Sequence, residues 1–150
     1  MTNFSVGTVG GGAIKINIDT RVNLLLFSKR EIKAAMKMGG KVVQKEARRL
    51  ISSRAVSAPG GLPGFDTGAM SKSIKVTVGS GGGYVKVMPY KTPAMGKDYY
   101  PAYLIYGTKR GIEKRADFMQ VAFQNKQWMI RQAIRAAFLR SLRAVPVGKY

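Results

Sequence analysis

Residues Ile74–Val87, IKVTVGSGGGYVKV, decide the fold class of this chain. Ile74, Val76 and Val78 alternate with Lys75 and Thr77, and beyond the Gly79–Gly83 run Val85 and Val87 alternate with Lys86. Period-two alternation gives one apolar and one polar face, and a glycine-rich joint lets the chain reverse. The stretch predicts a β-hairpin with one buried face.

Working outward, the hairpin is preceded by Asp66-Thr67-Gly68 and then Ala69–Ser73. Asp66 or Thr67 is placed to cap a short helical turn that delivers Ile74 to the first strand. Before it, residues 58–65 (APGGLPGF) form a Pro/Gly loop that ends a helix. That helix is expected from about Ser28 to about Arg54. Ser28 and Glu31 have capping-box spacing, and Ile32, Met36, Gly39, Val43, Ala47, Leu50 and Ile51 make one apolar stripe. Gly39-Gly40 in its middle costs about 2 kcal/mol relative to alanines, so either a kink or a close neighbour is expected there. Lys33, Lys37, Lys41 and Lys45 repeat every four residues on another face, a spacing at which like charges repel. This face is either solvated or set against an anionic partner. Earlier still, Ile14, Ile16 and Ile18 alternate with Lys15 and Asn17 as a strand, and residues 1–12, with Gly7 and Gly10–Gly12, are expected to form a flexible arm.

After the hairpin, residues 89–98 are polar and irregular, an interaction loop or plain disorder. Next comes YYPAYLIYGTKRGIEKRADFMQVA, residues 99–122, with its tyrosines and a Gly107-Thr108 turn. Asp117 is placed to cap a final helix from Phe118 to about Leu142, in which Met119, Ala122, Phe123, Ile130, Ala133, Ile134, Ala137 and Phe138 oppose Gln120, Gln124, Gln127, Arg131 and Arg135. The order lacks the strand-helix alternation of doubly wound folds. The expected class is α+β: one domain over residues 13–143, a small antiparallel sheet packed by a long N-terminal and a long C-terminal helix, with 144–150 as a tail.

Among the 150 residues, 26 Lys plus Arg face 7 Asp plus Glu, a formal charge of +19 that calls for an anionic partner. There is no cysteine and no histidine, which removes thiolate chemistry, the commonest general base and the commonest zinc ligand together. The seven acids are scattered, with a cap or turn role available for several of them. No catalytic residue, cofactor or metal site is expected, and the glycine runs meet neither phosphate-loop nor dinucleotide-binding geometry. The start MTNFSVGTVGGGA has no basic region before an apolar run, and Leu24–Phe27 is the longest plainly apolar stretch, far short of the roughly 20 residues of a membrane span. A cytosolic chain without a membrane helix is expected. The cations lie on long helices with no helix-turn-helix spacing, no zinc ligands and no ribonucleoprotein strand, leaving non-specific phosphate contact as the nucleic-acid reading.

The order of motifs resembles the tail-completion or head-tail joining proteins of tailed bacteriophages, also described as minor tail components. Thr67, Gly68, Ala69, Met70, Ser71, Lys72, Ser73 and Ile74 resemble the segment that opens the family's hairpin. Tyr100, Tyr103, Leu104, Tyr106, Gly107 and Thr108 resemble its aromatic Gly-Thr segment, and Phe118, Met119 and Ala122 the start of its last helix. Ile105 stands where the family often has Glu, and Asp117 where it often has Pro. The resemblance covers roughly residues 28–143 and implies a non-enzymatic structural protein of the virion neck or tail, made in the host cytoplasm. It further implies a homo-oligomeric, hexameric ring that meets the head-tail connector and the tail terminator or tail tube. On this reading Tyr100, Tyr103, Tyr106, Lys109, Arg110, Lys114 and Arg115 are interface residues, and Asp66, Thr67, Gly68, Gly107 and Thr108 set the turns. Lys33, Lys37, Lys41, Lys45, Arg131 and Arg135 form basic faces toward acidic protein or DNA. The alternative is a basic, non-specific nucleic-acid-binding module.

Overall fold

A computed structural model describes residues 3–9, 13–19, 29–51, 57–64, 68–97, 99–109 and 111–143. The elements are β1 (Asn3–Val9), β2 (Ala13–Asp19), α1 (Lys29–Leu50), α2 (Ala69–Ser73), β3 (Ile74–Val78), β4 (Tyr84–Pro89), α3 (Tyr100–Tyr106) and α4 (Phe118–Arg143). The strands form one antiparallel sheet in the order β1-β2-β4-β3. The expected α+β architecture is present. Ser28, Asp66, Thr67, Arg110 and residues 144–150 lie outside the described residues.

The hairpin forms as its alternation dictates, with Ile74, Val76 and Val78 opposite Pro89, Val87 and Val85. Ile74, Val85 and Val87 are fully buried, and Lys75 and Thr77 are exposed. Register then sets Ile14 and Ile16 of β2 opposite Val87 and Val85, continuing the same row. Residues 3–9, expected as part of a flexible arm, instead pair along their whole length with β2, from Asn3↔Asp19 to Val9↔Ala13. Phe4, Val6 and Thr8 share a strand-compatible alternation, and the Gly10–Gly12 run that suggested an arm falls between the two paired strands.

Helix α1 lies over β3 and β4, and α4, packed along α1, reaches β2. Being enclosed on two sides, α1 buries Ala35, Gly40 and Glu46 in addition to the stripe through Ile32, Met36, Gly39, Val43 and Ala47. The glycine pair is explained by these neighbours. A Cβ on Gly39 would come within 3.1 Å of Ile134 on α4, and one on Gly40 within 2.5 Å of Val76 and 2.8 Å of Val85 in the sheet. Each glycine admits one neighbour to the helix axis. The start of α4 is fixed by Asp117, whose Oδ1 accepts the amides of Met119 (3.0 Å) and Gln120 (3.2 Å). Phe118, Met119, Ala122 and Ile134 are fully buried against the core. Each large apolar side chain so buried contributes about 1.5–3 kcal/mol.

Candidate functional site

The segment after β4 is held by a web of main-chain bonds. Gly107 closes α3 by donating to Tyr103 O at 2.8 Å, and it sits at φ 73°. Thr108 N–H donates to Ile112 O (2.9 Å), and Ile112 N–H donates to Thr108 Oγ1 (3.2 Å), which ties Thr108 to Ile112 by two bonds. A Cβ on Gly107 would lie 3.0 Å from Ile112 O and 3.3 Å from Lys114 N, so backbone crowding and a left-handed φ both demand glycine here. The following strand of chain is bonded to its surroundings through Arg115 N–H to Leu104 O (2.7 Å), Gly60 N–H to Lys114 O (2.9 Å) and Ala116 N–H to Gly61 O (2.9 Å). The Pro/Gly loop and the Gly-Thr turn are therefore one structural unit. Gly68, at φ 74°, plays a similar part before α2, where its carbonyl accepts from Lys72 N–H at 3.0 Å.

This unit sorts the expected interface residues. The aromatic segment is a helix, α3, which packs through buried Pro101 and Ile105, while Leu104 and Tyr100 are half-buried against the core. Ile105 occupies a core position that a Glu could fill only with a partner. Tyr103, 38% exposed, and Tyr106, 58% exposed, face outward together with Ile112 at 43%. A seven-residue helix has one inward face, and Pro101, Ile105 and Leu104 fill it. Lys109 and Lys114 are exposed beside them. Arg115 differs: half-buried, its Nε donates to Ser57 Oγ at 2.8 Å, so it ties the two loops together.

Lys33, Lys37, Lys41 and Lys45 are exposed on α1, and Arg131 and Arg135 on α4. Arg48, close to the lysine row, reaches back instead, donating to Ser71 O (3.0 Å) and Ile74 O (3.1 Å). The α1–α4 seam carries an ion pair. Lys126 Nζ lies 3.8 Å from Glu46 Oε2, and Asn125 Nδ2 donates to Glu46 Oε1 at 3.3 Å. Glu46 is buried and also receives Arg49 at 2.7 and 3.0 Å. The Arg49 hydrogen bonds, helped by Asn125 and Lys126, outweigh burial and lower its carboxyl from 4.5 to about 2.

Two outward features were not anticipated from the sequence. Trp128 is 72% exposed, with Met129 and Leu139 also outside, and Arg131 and Arg135 fall on the same stripe of α4 as Trp128 and Leu139. The signal was available: Trp128 stands two positions from buried Ile130, nearly opposite it on a helix. On the sheet, the face away from α1 carries Lys75 Nζ 5.8 Å from the Tyr90 ring centre and Lys86 Nζ 5.8 Å from that of Tyr84. Among the described residues no cluster of acidic side chains could hold a metal ion, and no helix is long and apolar enough to cross a membrane.

The fold is thus a two-helix α+β unit whose aromatic and cationic side chains stand outside a closed core. A sequence family described as "Bacteriophage HK97-gp10, putative tail-component" matches residues 27–107, more than half of the chain. The chain belongs to this family of bacteriophage tail components, and the match runs from the start of α1 to the Gly107 turn, leaving α4 beyond it. No curated protein and no solved structure matches the chain.

Proposed function

We propose that this tail component works as a tail-completion or neck protein, assembling as a ring, hexameric as the family resemblance implies, between the head-tail connector and the tail tube or terminator. It does so as a structural protein of the virion, without catalysis. The observation that carries this reading is the outward placement of Trp128, Tyr103 and Tyr106 beside cations on a chain of the tail-component family. Exposed Trp, Tyr and Arg are the residue types that anchor protein interfaces, because they bury much area with few rotamers to lose. Lys109, Lys114, Arg131 and Arg135 supply charge toward acidic neighbours. Deleting the gene from its phage is expected to leave full heads and separate tails in electron micrographs, with joining restored by the wild-type chain. Normal joined particles from the deletion would overturn the proposal.

A second reading, non-specific contact with nucleic acid, draws on one specific feature: the cation-aromatic pairs Lys75–Tyr90 and Lys86–Tyr84 on the sheet face away from α1. In a neck this face would contact DNA passing the ring. Binding to mixed-sequence duplex should then weaken steeply with salt, by about 0.9 logarithmic units per phosphate neutralised for each tenfold rise. Negligible binding at physiological salt would retire it.

A further inference from the structure

Among the described residues the sheet has an open edge at β3, beside the basic face of α1. Among the described residues β3 is the last strand in the sheet order and pairs with β4 alone. Gly79 N–H to Tyr84 O and Tyr90 N–H to Ser73 O, each 3.0 Å, bracket that ladder. Antiparallel residues alternate between bonding to the partner strand and facing away from it. Ile74, Val76 and Val78 therefore direct their amide and carbonyl groups outward. The first of these is taken: Ile74 O accepts from Gln44 Nε2 (2.7 Å) and Arg48 Nη2 (3.1 Å). Among the described residues nothing caps the corresponding groups of Val76 and Val78.

Beside this open row lies a groove of about 400 Å³ lined by Lys33, Ala34, Lys37, Val76, Thr77 and Val78. Its floor is apolar, and the two exposed lysines stand on its helical wall. We propose that the β3 edge and this groove accept an extended, acidic segment of another protein as an added strand. The main chain of the segment would bond to Val76 and Val78, and its alternate carboxylates would meet Lys33 and Lys37. Charge selects this occupant over a second copy of the chain. Asp19 is the only acidic residue in the described strands, and the whole chain holds 7 acids against 26 bases. The described strands of a neighbouring copy offer no acidic row.

The site rests on the edge geometry and not on the virion reading, so its failure would leave that reading standing. The test adds a synthetic peptide alternating threonine with glutamate to the full chain at physiological salt, following anisotropy of the labelled peptide and hydrogen exchange of the protein. Expected are binding, at least tenfold slower exchange of the Val76 and Val78 amides, and at least tenfold weaker binding to the Lys33→Glu/Lys37→Glu variant. A peptide with proline at alternate positions, unable to complete the ladder, should lose the protection. Unchanged exchange at Val76 and Val78 under saturation would overturn the proposal, as would equal binding of the proline peptide or of duplex DNA in the same groove. Both lysines are exposed among like charges, so the reversal should keep the fold; should its melting midpoint fall, Lys33→Gln carries the same test.

Discussion

At the scale of single residues, three glycines carry most of the steric information. Gly107 combines φ 73° with backbone atoms 3.0 and 3.3 Å from where a Cβ would stand. Gly107→Val is expected to cost about 1–3 kcal/mol through the strained φ alone, with more from the clash at Ile112 O. Thermal unfolding of the purified chain would measure it, and a phage carrying the substitution should fail to assemble joined particles. On α1 the two adjacent glycines should behave differently. Alanine gains about 1 kcal/mol of helix propensity over glycine at either place. At Gly40 that gain meets Val76 and Val85 at 2.5 and 2.8 Å, inside a packed sheet, where overpacking costs about 1–3 kcal/mol. At Gly39 the approach is milder, with side-chain carbons of Ile134 at 3.1 and 3.2 Å and of Ile130 at 3.4 Å, which a shift of a few tenths of an ångström would relieve. Gly40→Ala should therefore lower the urea midpoint, and Gly39→Ala should leave it nearly unchanged or raise it.

At the scale of elements, the α1–α4 seam is mostly apolar but carries one polar stitch, Glu46 with Asn125 and Lys126. Its carboxyl titrates near 2 when folded and near 4.5 when free. A lowered folded value means that the unfolded chain takes up the proton first as pH falls. The stabilisation is thus complete above about 4.5 and is lost as pH drops through the window down to about 2. For a shift of this size it is on the order of 3 kcal/mol at neutral pH. Glu46→Gln should lose much of that at pH 7 and show a flatter stability curve between pH 5 and 3 than the wild type; parallel curves would show that the stitch contributes nothing. Helix α3 illustrates a different balance. Burial of Pro101 and Ile105 anchors it, which sets Tyr103 and Tyr106 on its outer side.

At the scale of the whole molecule, the question is how a chain of charge +19 avoids isolation. Its cations are spread over α1, α4, the sheet face and the loop after α3, so no single contact neutralises them. Neighbours on several sides are what a ring between two other virion parts would provide. Trp128→Ala separates this from a merely structural role. On an exposed helical surface it should change folding stability by no more than about 0.5 kcal/mol, yet it should block association with the partner component in a pull-down or reconstituted joining assay. Unimpaired joining would remove α4 from the interface.

The sequence by itself determined the local order: the hairpin from its alternation, α1 and α4 from their stripes, the Asp117 cap, the glycine turns and the exposed lysine row. These follow from periodicity and from backbone restrictions that act within a few residues. Family membership was also legible, through Thr67–Ile74 and the aromatic Gly107-Thr108 segment. What only the tertiary structure decided depends on neighbours distant in sequence. It paired residues 3–9 with β2, placed Ile105 inside and Tyr103 and Tyr106 outside, turned Arg115 and Arg48 into ties, and brought Glu46 to Lys126. It also left β3 as an open edge beside Lys33 and Lys37. A side chain's spacing names its face, but only the element packed against that face decides whether it is core, tie or contact.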